Sequence, residues 1–247
     1  MPRVDIHTHI LPGLDDGPLT LDQSLPMART AALDGTTTIV ATPHSRDMEI
    51  EQYPSGKVNE IANLLNNSMR SDSTEENIPS IKILTGTCNH LTPSLPDLID
   101  SGKANTLNRT RFLLVEPPFG RLPIFLEDLL GRLLTQRLVP VLAHPERNIE
   151  FQRKPKRLEQ LVEEGAVVQI ASGSLTGQYG DKARKTAEQF ILQGMAHVVA
   201  SEMHANTPPR SPILSDSFSV VTKLIGEKSS IDLFETNPRM LLEGRLP

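Results

Sequence analysis

Apolar positions fall into two alternating rhythms along the chain. Seven short runs, at 4–6, 37–41, 81–85, 112–115, 139–143, 167–170 and 197–200, are rich in β-branched and aliphatic residues. Continuous apolar runs of this length suit strands covered on both faces. Between them apolar residues recur at helical spacing, as at Leu158, Leu161 and Val162 and at Ala187, Phe190 and Ile191. Gly35, Gly165 and Gly194 stand where helical stretches stop and strands begin, which suits left-handed helix caps. Strands alternating with helices predict a parallel sheet. Seven such units in 247 residues predict a single barrel domain over 1–247, with an open doubly wound sheet as the other arrangement.

Three stretches need separate treatment. Thr20-x-x-Gln23 resembles a capping box, but a helix starting there would enclose Pro26 and lose a hydrogen bond. The expected helix core therefore starts near Ser24, with Pro26 in its first turn. The polar run 71–77 (SDSTEEN) lacks periodicity and predicts a mobile surface loop. The stretch 233–244, broken by Asn237-Pro238, predicts a short packed helix at the end of the chain.

Composition narrows the function mainly by exclusion. A formal charge of −5 supplies no basic field for nucleic acid, and aromatics at 4% with no tryptophan supply no stacking platform for single strands. No apolar run approaches the roughly 20 residues that span a bilayer, so no direct membrane insertion is expected. The first residues read straight into a strand without an apolar signal core, which predicts a cytoplasmic protein. The single cysteine, Cys88, excludes an internal disulfide and fits a reducing compartment.

The chemistry lies in the placement of histidine. Six of the seven follow the end of a predicted strand: His7 and His9, His44, His90, His144 and His204. In a parallel barrel all those ends share one face, where active sites form. Acidic residues join them, with Asp15 and Asp16 after the His-x-His pair, Glu116 ending the fourth run and Glu202 the seventh. Imidazole with carboxylate suits zinc, iron or manganese, and so many donors exceed the four of a single zinc site. Two or three metals are therefore expected. His197 starts a strand instead and reads as structural. Arg46, Arg147 and Arg210 follow the same strand ends and are candidates to bind phosphate oxygens in bidentate fashion. Cys88 lacks the Cys-x5-Arg cradle of a thiol phosphatase, since position 93 is proline, and no glycine-rich nucleotide loop is present.

These motifs occur in a familiar order: Asp5-Ile6-His7-Thr8-His9, Asp15-Asp16-Gly17, Ala41-Thr42-Pro43-His44, Val115-Glu116, Ala143-His144-Pro145-Glu146-Arg147, Gly173-Ser174-Leu175-Thr176-Gly177 and Ala200-Ser201-Glu202-Met203-His204. The chain resembles, over essentially its whole length, the bacterial polymerase-and-histidinol-phosphatase (PHP) domain tyrosine phosphatases of capsule and exopolysaccharide operons. The resemblance implies an α/β fold of the PHP type, a distorted seven-stranded (β/α)7 barrel with a trinuclear metal site, usually assigned manganese. It implies His7, His9, Asp16, His44, Glu116, His144 and His204 as metal ligands, and Arg147 and Arg210 as binders of substrate phosphate. The implied substrate is the phosphotyrosine tail of a bacterial tyrosine kinase. Asp16 or a nearby histidine is the candidate for protonating the leaving group.

Two positions depart from the family pattern. Cys88 stands where family members usually carry glutamate, and Glu202 where they usually carry aspartate. Both are ligand positions, so Cys88 and Glu202 join the candidate metal residues, with Cys88 either a thiolate ligand alongside His90 or a small buried residue facing the gap left by the absent glutamate. Thiolate is softer than carboxylate and favours zinc over manganese, which predicts weaker manganese binding at this end of the site. Glu202 reaches one methylene farther than aspartate and is expected to lean toward the gap at Cys88. Two other functions fit the same residues: a small-metabolite phosphatase, as for histidinol phosphate, and a weakly active regulatory binding protein.

Overall fold

The computed structural model describes residues 2–45, 56–75 and 78–247. β1 (Arg3–Thr8) leads through α1 (Leu21–Leu33) to β2 (Thr36–Ala41), and α2 (Lys57–Glu75) leads to β3 (Lys82–Thr85). A two-residue strand, β4 (Asn89–His90), precedes α3 (Leu95–Asp100) and β5 (Phe112–Glu116). Then follow α4 (Leu126–Thr135), β6 (Val139–Ala143), α5 (Ile149–Arg153), α6 (Pro155–Glu163) and β7 (Val167–Ala171). The chain closes with α7 (Ser172–Leu175), α8 (Asp181–Leu192), β8 (Val198–Ala200), α9 (Ser215–Ile225), α10 (Glu227–Ile231) and α11 (Asn237–Leu242).

All strand pairing is parallel, in two sheets of order β1-β2-β3 and β4-β5-β6-β7-β8. Among the described residues there are thus eight strands rather than seven. The extra one arises because the chain leaves the ladder between Thr85 and Asn89. At Gly86 a side chain would meet the Leu107 backbone and the Thr106 carbonyl at 3.3 Å, so the segment turns against a neighbouring loop. Cys88 then pairs as an isolated bridge with His44: its N–H donates to Pro43 O at 3.1 Å and its carbonyl accepts from Ser45 N–H at 3.0 Å. A second isolated bridge joins Thr8 to Met203.

Side chains alternate along the strands, and the two sets reach different cores. Val4, Ile6, Val40, Phe112, Leu114, Val141, Val167 and Val198 meet in one buried cluster drawn from both sheets. The other faces of β5 to β8 present Leu113, Leu142, Val168 and Val199 to Leu129, Leu158 and Phe190 of the helices. Ile39 and Ile83 similarly pack with Met27 and Ala31 of α1 and Leu65 of α2. Strands buried on both faces account for the continuous apolar runs.

Two local expectations are corrected. Helix α1 begins at Leu21, not near Ser24, and Pro26 lies inside it. Thr20 is extended and makes no side-chain cap; Gln23 Oε1 instead accepts from Leu19 N–H at 2.7 Å. Burial of Met27, Ala28, Ala31 and Ala32 outweighs the bond lost at Pro26, a defect worth about 3 kcal/mol. The run expected as a loop at 71–77 continues α2 through Glu75, while residues 76 and 77 lie outside the described residues. At the end of the chain a wide π-type turn over Asp232–Thr236 runs directly into α11, with Pro238 as its second residue.

Candidate metal centre

The strand ends deliver the donors to one place. His7 is in β1 and His9 just beyond it, His44 follows β2, and Cys88 and His90 lie in the β3–β4 segment. Glu116 ends β5, His144 follows β6, and Glu202 and His204 follow β8. The β1 register is irregular between Asp5 and Thr8, a distortion that re-aims side chains beside a site. Glu202 N–H donates to His7 O at 2.9 Å and His9 N–H to Met203 O at 2.8 Å, tying the first and last strand ends together. His144 (φ 34°) and Glu202 (φ 56°) both adopt left-handed backbone, a strain that persists where surroundings enforce it. Gly17, after the acidic pair, passes so close to His9 O that any side chain would collide at 2.2 Å.

Among the described residues four groups place ligand atoms within 4.8 Å of one another: His9, Asp16, His44 and His204; His7, His9 and Cys88; His44, Cys88 and Glu116; and Glu116, His144 and Glu202. Neighbouring groups share His9, His44, Cys88 and Glu116, so the donors form one chain across the mouth. The rings are in contact, with centroids 3.9 Å apart for His9 and His204, 4.4 Å for His9 and His44, and 5.1 Å for His44 and His90.

The hydrogen bonds at the back of the rings fix which nitrogen faces the centre. His7 Nδ1 lies 2.9 Å from Gln169 Oε1, His9 Nδ1 2.6 Å from Asp15 Oδ2, and His204 Nδ1 2.7 Å from Glu202 O. Each partner is an acceptor, so each Nδ1 carries a proton and each Nε2 faces the centre. Burial pushes His7 down to about 4 and, with His204 beside it, His9 well below its ordinary value, so both rings are neutral. Yet His7 Nε2 and His9 Nε2 lie only 3.2 Å apart. His204 Nε2 faces Asp16 Oδ1 at 3.0 Å, and buried His144 Nε2 faces Glu116 Oε1 at 3.1 Å without hydrogen-bond geometry. The two neutral lone pairs of His7 and His9 repel at this distance, and a shared cation between them removes the repulsion. The donor set therefore fits divalent metal ions.

The carboxylates are tuned to match. The His204 ring beside it, with Arg210, holds Asp16 well below the usual carboxylate range. Burial would raise Glu116, but His144 overcomes it and keeps the carboxylate ionised. Burial would raise Glu202 too, and His144 with Arg147 instead brings it to about 2. Burial, with Glu116 next, pushes the Cys88 thiol well up; its Sγ lies 4.0 Å from Glu116 Oε2.

The arginines are already engaged. Arg147 Nη1 donates to both oxygens of Glu202, at 2.8 and 2.7 Å, and its guanidinium is stacked against Tyr179 (3.9 Å) and Phe119 (4.4 Å). Tyr179 Oη donates to Glu202 Oε2 at 3.2 Å. Glu202 thus turns to Arg147 and does not lean toward Cys88, with which it shares no donor group. Arg210 Nη1 donates to Asp16 Oδ2 at 3.2 Å. Arg46 lies outside the described residues. His197 stands away from the donors and accepts from Val168 N–H at 3.1 Å.

Several supporting residues escaped the sequence. From the sequence Asp15 reads only as an acid on the correct face. Gln169 left a signal, a lone amide within the apolar run of β7. Asp5 is buried, accepts from Ser201 N–H at 3.1 Å, and is raised to about 6 by burial. Glu146, inside a motif that invites a functional role, accepts from Ala171 N–H at 3.0 Å and Ser174 Oγ at 2.6 Å and braces the loop after β7. Phe119 and Tyr179 carry no local mark of their pairing with Arg147.

Parallel strands ending in shared histidine and carboxylate donors define an α/β protein whose donor groups suit divalent metals. The chain belongs to the CpsB/CapC family of capsular polysaccharide synthesis, which it matches over residues 3–243. It is 34% identical over 242 residues to the tyrosine-protein phosphatase YwqE of Bacillus subtilis strain 168, covering 98% of this chain and 92% of that protein. It is 31% identical over 210 residues to the putative tyrosine-protein phosphatase CapC of Staphylococcus aureus, covering 83% and 78% of the two chains. Its structure superposes with a TM-score of 0.88, at 33% identity and covering 98% and 95% of the chains, on a crystal structure from work on YwqE of B. subtilis and CpsB of Streptococcus pneumoniae. That work describes them as unique metal-dependent tyrosine phosphatases.

Proposed function

We propose that this protein is a metal-dependent protein-tyrosine phosphatase acting on the phosphotyrosine tail of a bacterial tyrosine kinase in polysaccharide synthesis. The observation that carries the reading is the opposed pair of neutral imidazole lone pairs, His7 Nε2 and His9 Nε2, 3.2 Å apart in a buried site. The ligands in this reading are His7, His9, Asp16, His44, Glu116, His144, Glu202 and His204, with Cys88 at the junction of two donor groups. They are enough for two or three ions, manganese by family likeness, with zinc or iron compatible with the same donors. We read the two sheets as halves of one distorted seven-stranded barrel, with β3 and β4 a single broken strand and 1–247 one domain. The Thr8–Met203 and His44–Cys88 bridges and the core cluster shared by both sheets support this.

When bound, the metals supply Lewis-acid polarisation of the phosphoryl group and a water-derived nucleophile at neutral pH. The chain's own residues do the rest. Gln169 and Asp15 hold His7 and His9 in the tautomer that faces the centre. Arg147 and Arg210, already at the mouth, offer their remaining N–H groups to phosphate oxygens. Asp16 is ionised, which suits a ligand better than a proton donor, so leaving-group protonation falls to a rim histidine; His90, 3.4 Å from Glu116, is placed for it.

The reading is tested with a phosphotyrosine peptide, an aryl phosphate and histidinol phosphate, each before and after chelation and with manganese or zinc restored. Peptide and aryl phosphate turnover that vanishes with chelation and returns with metal is expected. Turnover of histidinol phosphate alone would favour the metabolite phosphatase, and turnover indifferent to metal would refute the site.

A second expectation concerns position 88. Cys88→Glu puts a hard bridging carboxylate between donors it shares with Glu116 and should raise manganese content and turnover. Adding Glu202→Asp should change the gain non-additively, because both residues neighbour Glu116. Metal content and rate equal to the parent in both variants would remove Cys88 from the ligand set.

A further inference from the structure

A basic cleft opens beside the metal centre. The loop after β5 carries Phe119, half exposed, whose ring lies 5.7 Å from that of His144 and against which Arg147 is stacked. The next residues are pinned onto the start of α5. Asn148 Nδ2 donates to Pro118 O and to Gly120 O at 3.0 Å, and Ile149 N–H to Phe119 O at 2.9 Å. From Gly120 onward this loop and α5 wall a cleft of 530 Å³, and a second of 550 Å³ continues along α6, with Arg153 and Lys154 shared between them.

The charge in these clefts is one-sided. Five cations line them, Arg121, Arg153, Lys154, Lys156 and Arg157, against two carboxylates, Glu127 and Glu150. Both carboxylates are bonded to Arg157, at 2.7 and 2.8 Å, and Glu150 also accepts from Leu122 N–H. Arg121, Arg153, Lys154 and Lys156 make no ion pair among the described residues. In a chain of net charge −5, four unpaired cations gathered on the rim of the site are a local reversal of sign. Such a patch attracts an anionic partner and fixes its register more than it adds affinity. Exposed Ile149 adds an apolar contact in the first cleft.

We infer that this cleft binds acidic residues flanking the phosphotyrosine of a peptide substrate, so that the enzyme selects acidic phosphopeptides. The inference rests on the phosphatase reading and deepens it: a peptide whose phosphotyrosine enters past Phe119 continues over Gly120 into the cleft. None of the four unpaired cations belongs to the metal centre.

The test uses the full chain with metal and two phosphotyrosine peptides, one with glutamate flanks and one with serine and glycine flanks. Arg121→Glu combined with Arg153→Glu and Lys154→Glu should raise KM for the acidic peptide by about tenfold, the size of a few surface ion pairs weakened together. Its kcat, its turnover of para-nitrophenyl phosphate and its KM for the neutral peptide should match the parent. The parent's preference for acidic flanks should fade as salt rises. A triple variant that keeps the preference overturns the proposal. So does a variant that loses binding to phosphatidylserine vesicles with peptide kinetics unchanged, which would assign the patch to a lipid surface. Failure of the phosphatase reading shows separately, as absent para-nitrophenyl phosphate turnover. In that event peptide binding by fluorescence anisotropy, acidic against neutral, still decides the role of the cleft.

Discussion

Alanine at position 9 is expected to lower aryl phosphate turnover by at least about a hundredfold, since metal assistance is worth several kcal/mol and each 1.36 kcal/mol is a factor of ten. His9 is the residue to remove because it belongs to two donor groups, one with Asp16, His44 and His204 and one with His7 and Cys88. Its ring is stacked on His204 and in contact with His44, so no neighbouring imidazole can take over its position without breaking its own bonds. Bound metal should fall with the rate. The thermal response separates loss of a ligand from loss of fold. Metal stabilises whatever state binds it, so manganese or zinc should raise the melting temperature of the parent and raise that of His9→Ala much less. Without metal the variant should be less compromised than a typical buried truncation, because removing His9 also removes the lone-pair opposition with His7. Parental metal content and rate in His9→Ala would sink the proposed centre.

Arg147→Ala carries the second large effect, and it should be double. As a phosphate binder Arg147 offers charge-assisted bonds worth about 1.5–3 kcal/mol, so catalytic efficiency should fall roughly 10- to 150-fold. As a structural partner it neutralises Glu202, whose side chain is buried, through two bonds from one nitrogen. Removing one member of a buried pair costs about 3 kcal/mol or more, and metals can offset this by taking up the stranded carboxylate. The variant should therefore lose more stability in its metal-free form than in its loaded form. Arg147→Lys should not restore the parent, because an ammonium does not stack as a plane between Phe119 and Tyr179. Normal kinetics in Arg147→Ala would refute the phosphate assignment. Equal losses of stability with and without metal would refute the link to Glu202.

The Arg147 case shows where local pattern runs out. Its position three residues after His144 placed it on the correct face, because strand ends in a parallel arrangement share a side. That its nitrogen is held by Glu202, 55 positions later, follows from no spacing. The same holds at the back of the site. Gln169, 162 positions from His7, decides which of the His7 nitrogens faces the cluster of donors.

Local rules explain what was legible. Strand positions follow from side chains buried on both faces, and the stops at Gly35, Gly165 and Gly194, all with positive φ, follow from the backbone freedom of glycine. Both are properties of a few consecutive residues. The gathering of histidines and carboxylates followed from those strands, since the donors stand at their ends or just beyond. The misplaced start of α1 and the continuation of α2 through Glu75 have a different origin. There, packing of Met27, Ala28 and Ala31, and of Leu65 and Met69, outweighed proline and a polar composition. Tertiary structure alone decided the break between β3 and β4 at a close approach to Leu107, the left-handed turns at His144 and Glu202, and the tautomer of each buried ring. Each depends on which distant atom lies within 3 to 4 Å, and such distances are set by the closed packing of the chain rather than by the order of its residues.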